Sequence, residues 1–73
     1  MNREVKPGNK YLHFKGDIIE VITVAKHTET LEDLVIYTHK GQVWARPYDM
    51  FNSEVDHEKY PDVKQKYRFE EVK

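Results

Sequence analysis

Three short stretches concentrate the groups that can do chemistry in this chain. His13-Phe14-Lys15-Gly16, His27-Thr28-Glu29-Thr30 and Trp44-Ala45-Arg46-Pro47-Tyr48-Asp49-Met50-Phe51 carry imidazole, carboxylate, ammonium, guanidinium and indole side chains within 73 residues. His27 and Glu29 are two apart, so on extended backbone they project to one side. A carboxylate there can orient the imidazole as a general base. Joined by His13, the same pair would offer three groups of the kind that transition metals bind. Arg46 can fork onto a carboxylate or phosphate. Trp44 and Tyr37 offer an apolar platform beside it, and tryptophan, tyrosine and arginine dominate interface energetics.

Composition removes several classes of function. There is no cysteine, which excludes a disulfide framework and a thiolate zinc site and suits a reducing compartment. Ser53 is the single serine, and neither a Gly-x-Ser-x-Gly elbow nor a phosphate-cradling glycine loop is present. A chain this short buries only about 60% of its unfolded surface, so little is left to exclude water from a catalytic centre. The formal net charge is −1, from 12 basic and 13 acidic side chains, which gives no overall push toward polyanions. No apolar run approaches the roughly 20 residues of a membrane span. The first residues lack the apolar stretch of a secretory signal. A soluble cytoplasmic protein is expected.

The elements that must position these groups read as β-structure. Lys10 to Phe14 alternates as a short strand, closed by a turn at Gly16-Asp17. Ile18 to Lys26 is rich in β-branched residues. Its alternation is imperfect, with Ile18, Ile22 and Val24 on one parity and Ile19, Val21, Thr23 and Ala25 on the other. A strand apolar on both sides is central or sharply bent. Residues 27–33 read either as one helical turn capped by Thr30 and Asp33 or as a hairpin loop held by Ser/Thr-type turns. Leu34 to Lys40 and Gln42 to Arg46 are the next strands. If Lys40-Gly41 is a two-residue turn, Tyr37 faces Trp44 and Val35 faces Arg46. The core face is then Leu34, Ile36, Thr38, Val43 and Ala45, and Tyr37, Trp44 and Arg46 point outward. A three-residue turn with Gly41 as a bulge would shift the register by one and bury Trp44. Pro47 opens a helical turn that drops Met50 and Phe51 onto a core shared with Leu12 and Phe14.

These elements predict a single mostly-β domain over 1–73. It is a small SH3-like barrel or a strongly bent antiparallel sheet of four or five short strands, with one helical turn near Pro47. Residues 1–9 form a frayed N-terminal arm closed by a turn at Pro7-Gly8-Asn9, 10–51 the barrel core, 52–66 a charged loop and 67–73 a closing strand.

The words together resemble a known family. Tyr11-x-His13-Phe14-Lys15-Gly16, Val21, Ala25-x-His27-Thr28-Glu29-Thr30, Val35-x-Tyr37 and Trp44-x-Arg46-Pro47-x-x-Met50-Phe51 are similar to the bacterial domain of unknown function 1653. The resemblance covers residues 5–55 and continues weakly to Tyr67-Arg68-Phe69. It implies a small soluble bacterial protein of a family without an assigned activity. The chain departs from the pattern at Ile19, where the family often has tyrosine, and in a shorter link between Tyr37 and Trp44.

The resulting expectation is a non-catalytic binding or interaction module without a cofactor or metal. Its surface is made by His13, Lys15, His27, Glu29, Tyr37, Trp44 and Arg46. A protein, a peptide or a small anionic ligand is the expected partner, and a membrane is not. Single-stranded nucleic acid is the alternative, through aromatic platforms and basic grooves. Hydrolysis by a metal or by a His27–Glu29 general base stands third.

Overall fold

The computed structural model describes residues 4–72. In chain order it contains β1 (Lys10–His13), β2 (Ile18–Lys26), β3 (Asp33–His39), β4 (Gln42–Pro47), α1 (Tyr48–Phe51) and β5 (Phe69–Glu71). The strands form one antiparallel sheet in the order β4-β3-β2-β1-β5. β4 and β5 are edges and do not pair with each other, so of the two expected architectures the structure is the bent sheet and not a closed barrel.

Ring contacts measure the bend. Tyr37 on β3 and Phe69 on β5 are separated by two intervening strands, about 14 Å on a flat sheet. Their ring centroids are 5.7 Å apart, so the sheet curls until its two ends share one core. Phe51 from α1 fills the hollow. Its ring stacks on Phe69 at 4.2 Å and meets Tyr11 at 5.3 Å and Tyr37 at 5.8 Å. Val5, Ile19, Val21 and Val35 complete this cluster.

The irregular pattern of β2 has a local cause. Val21 pairs with Tyr37 but Thr23 pairs with Ile36, so Ile22 is an extra residue in a bulge. The bulge advances the inward phase by one. Ile19 and Val21 face the core before it, and Val24 packs against the core after it.

Lys40 and Gly41 have φ of 54° and 77°, the two positive values of a type I′ hairpin turn. The register is therefore the two-residue one, with Tyr37 opposite Trp44 and Val35 opposite Arg46. The assignment of faces is reversed. Val35 and Tyr37 are buried, whereas Val43 and Ala45 are exposed and Leu34, Ile36 and Thr38 only half-buried. Counting aliphatic residues favoured the wrong side, because α1 lays Phe51 against Tyr37 and the large rings collect there. Met50 points out at 49% exposure, and Leu12 and Phe14 are half-buried rather than central.

The flanking segments are pinned to the sheet. Val5 is buried, its N–H donates to the Tyr48 hydroxyl at 2.9 Å, and the Lys6 N–H donates to the Tyr11 hydroxyl at 3.3 Å. Within the charged stretch Val55 is buried, and Gln65 Nε2 donates to the carbonyls of Leu12 and Tyr67 at 2.8 and 2.9 Å. The frayed N-terminus expected ahead of the Pro7-Gly8-Asn9 turn is thus held to the sheet at Val5 and Lys6, while residues 1–3 of that arm and the last residue of the closing strand lie outside the described residues. β5 pairs with β1.

Candidate functional site

Arg46 sits where the two ends of the curled sheet approach. Its Nε donates to the Tyr37 hydroxyl at 3.4 Å, and its guanidinium carbon lies 5.5 Å from the centre of the Phe69 ring. Among the described residues no carboxylate is within ion-pair distance of it, so neither Glu29 nor Asp49 neutralises it. Tyr37 is only 5% exposed and Trp44 is 50% exposed. The expected outward pair of rings is thus one exposed indole on an edge strand, with a buried tyrosine that supports the arginine. The indole N–H makes one long bond, 3.4 Å to the His39 carbonyl.

His13 ends β1 beside this group. Its ring stacks on Phe14 at 4.6 Å and on His39 at 6.0 Å, and meets the edge of Phe69 at 4.9 Å. Its Nδ1 accepts the Lys15 N–H at 3.1 Å, which assigns the neutral ring's proton to Nε2. Burial, aided by the positive charge of His39, Arg46 and Lys15, pushes the imidazole below its ordinary value of 6.5, against a weaker pull from Asp17. Asp17 Oδ2 lies 2.9 Å from His39 Nε2 and 3.8 Å from Lys40 Nζ. The His39 hydrogen bond, helped by Lys40, holds the Asp17 carboxyl below the usual range. These side chains line a cleft of about 340 Å³, with Tyr37, His39 and Trp44 as walls and His13, Lys15, Lys40 and Arg46 as its basic groups.

Five of the seven expected site residues therefore meet: His13, Lys15, Tyr37, Trp44 and Arg46. His27 and Glu29 do not join them. They follow the far end of β2, nine residues from the turn at Asp17, or about 30 Å at strand rise. His27 Nδ1 accepts the N–H groups of Glu29 and Thr30 at 3.0 and 3.2 Å. Thr30 Oγ1 accepts the Glu32 N–H at 3.3 Å. The stretch is a hairpin loop that contains a single α-turn, the Leu31 N–H donating to the His27 carbonyl at 2.9 Å, and its imidazole is turned to backbone rather than to the Glu29 carboxylate. The separation also prevents one metal ion from taking both His13 and His27. Another hollow, about 380 Å³, lies near this loop and α1. Among the described residues it presents Glu32, Asp33 and Asp49 and no cation in its lining.

Sequence reasoning missed Asp17, which the β1–β2 turn holds at His13, and His39 and Lys40, which the pairing of β3 with β2 brings to the same end of the sheet. It also missed a second cleft, of about 290 Å³, on the other side of Lys15 and Arg46. His13, Phe14, Asp56, Lys59, Tyr60 and Arg68 complete its lining. The aromatic-basic runs Lys59-Tyr60 and Tyr67-Arg68-Phe69 were the available signal within a stretch that reads as plain charged loop. Among the described residues no helix is long and apolar enough to cross a membrane.

The model of a family described as Protein of unknown function (DUF1653) matches residues 9–71. Comparison with curated proteins and with solved structures gives no match.

Proposed function

Because the chain belongs to the DUF1653 family, whose function is unknown, we propose from the geometry of its clefts that it is a non-catalytic binding module for a small anionic ligand. Recognition is by the cleft of His13, Lys15, Tyr37, Trp44 and Arg46. One observation carries this reading: an arginine without a carboxylate partner among the described residues, oriented by Tyr37 and Phe69, stands beside a half-exposed indole. The guanidinium has both terminal nitrogens available for a carboxylate or phosphate, and its orientation is already fixed, which lowers the cost of binding. Trp44 gives a flat apolar wall, and Lys40 and Lys15 add positive charge at the rim. A ligand that joins an anionic group to a ring or planar amide fits these elements. The cysteine-free composition supports a cytoplasmic site of action, which fractionation against a soluble marker checks.

A ligand-detected NMR screen of small anionic compounds tests the reading. It expects ring-bearing anions as hits, lost in Arg46→Gln and Trp44→Ala and retained in His27→Ala. A screen without hits, or hits indifferent to both substitutions, would sink it.

A second reading, single-stranded nucleic acid, has one observation in its favour. Lys15, Lys40, Lys59, Arg46 and Arg68 gather around two adjoining clefts although the net charge is −1. It expects binding to a labelled oligonucleotide that weakens steeply with salt. Retention that is absent at low salt removes it.

A further inference from the structure

The second cleft contains more uncompensated positive charge than the first. Lys15, Lys59, Arg46 and Arg68 line it, against one carboxylate, that of Asp56. Asp56 Oδ1 is already engaged, accepting the N–H groups of Glu58 and Lys59 at 3.1 and 3.4 Å. Glu70, close to Arg68 in sequence, is turned away. Its Oε2 accepts the N–H groups of Lys66 and Tyr67 at 3.1 Å each. None of the four cations has a carboxylate within ion-pair distance among the described residues. Arg68 Nε is buried and has no hydrogen-bond partner among the described residues. A buried donor left unpaired carries a desolvation cost, and two guanidiniums brought to one hollow repel each other. An oxyanion between them relieves both penalties.

The hollow is held rigid by backbone. The Phe14 N–H donates to the Arg68 carbonyl at 2.9 Å, and the Arg68 N–H donates to the Ser53 carbonyl at 3.0 Å. The Phe14 and Tyr60 rings, 5.1 Å apart, make an apolar wall. Lys15 Nζ lies 5.8 and 5.7 Å from the two ring centres, and Lys59 Nζ lies 5.5 Å from that of Tyr60. Both ammonium groups are thereby kept over the mouth of the cleft.

We propose that this cleft is a binding site for a phosphate monoester, with the phosphate between Arg46 and Arg68 and its organic group against Phe14 and Tyr60. The charge balance favours a dianion over a carboxylate, and planar guanidiniums match phosphate oxygens in pairs. The volume is at the small end for ligand sites, which suits one phosphate and one ring rather than a nucleotide chain. This site shares Arg46 with the first cleft but places its ligand on Arg68, Phe14 and Tyr60 and makes no use of the Trp44 wall, and so it goes beyond the reading given above.

Titration of the isotope-labelled full chain with phenyl phosphate, inorganic phosphate and sodium chloride at constant ionic strength tests it by amide chemical shift. Saturable shifts of Phe14, Lys15, Lys59, Tyr60 and Arg68 are expected, with phenyl phosphate binding more tightly than inorganic phosphate and chloride without effect. Arg68→Gln should weaken binding about tenfold. Lys59→Gln, at an exposed position that leaves the fold intact, should weaken it about threefold. The proposal is overturned if shifts do not saturate, if they spread equally to Lys26, Lys64 and Lys66, or if both variants bind as wild type does. Shifts confined to the Trp44 indole would support the first cleft as a site and overturn this one.

Discussion

At the scale of single residues, the same histidine chemistry serves two ends of the molecule differently. His13 and His27 each accept the N–H of the residue two positions on, through Nδ1, as Asx-type side chains do in turns. His27 has only its own loop around it. His13 has His39, Arg46, Lys15 and Asp17 around it, and burial and positive charge depress its pKa. Between the folded value and 6.5 the unfolded chain binds a proton that the folded chain does not. Stability is therefore full above pH 6.5 and declines as the pH falls toward the folded value. His13→Asn keeps the acceptor and removes the proton. In urea unfolding at a series of pH values the variant should lose this acid decline, and an unchanged profile would show that the imidazole does not cause it. Phe51 and Met50, neighbours in sequence, separate by burial. Phe51→Ala should cost about 3–5 kcal/mol, most of the stability of so small a domain. Met50→Ala should stay within about 0.5 kcal/mol. Thermal melts followed by circular dichroism distinguish the two.

At the scale of elements, the β3–β4 hairpin sets the site. Lys40-Gly41 between two alternating runs narrowed its register to two, and the positive φ at both Lys40 and Gly41 selects the two-residue pairing. The face it presents was not legible. The aliphatic residues Leu34, Ile36, Val43 and Ala45 outnumber Val35, the one aliphatic residue on the other face, and only the landing of α1 on the Tyr37 side decides the matter. β2 shows the converse: its mixed parity signalled a bend, and the bulge at Ile22 is that bend. Residues 56–68 gave no periodic signal because hydrogen bonds, not a repeating apolar face, hold them to β1. Lys40 takes a positive φ of 54°, which costs a side chain with a Cβ about 1–2 kcal/mol. Asparagine tolerates that conformation, and Asn-Gly is the favoured type I′ pair. Lys40→Asn should therefore raise stability by about 0.5–1 kcal/mol in equilibrium unfolding, since the exposed Lys40–Asp17 pair that it removes contributes little. A loss of stability would mean that the turn is not the one described.

At the scale of the whole molecule, curling brings the first and last strands of the sheet close enough for Arg46 to lie over Phe69. A flat sheet of the same strands would leave that arginine in water and Phe69 at a distant edge. Curvature also gathers basic side chains that are scattered in sequence, so a chain of net charge −1 carries a locally positive face. His27 and Glu29 stay at the opposite end, and the three words that mark the sequence thus divide into a site and a loop. The central claim is that Trp44 and Arg46 act together on one small anion. Its most direct test is to follow the Trp44 indole N–H and the Arg46 Nε–H by NMR while benzoate is added at constant ionic strength. Both signals should move on one saturating curve while the amides of residues 27–30 stay fixed. Signals that stay still, or that move no more than with chloride, would contradict it.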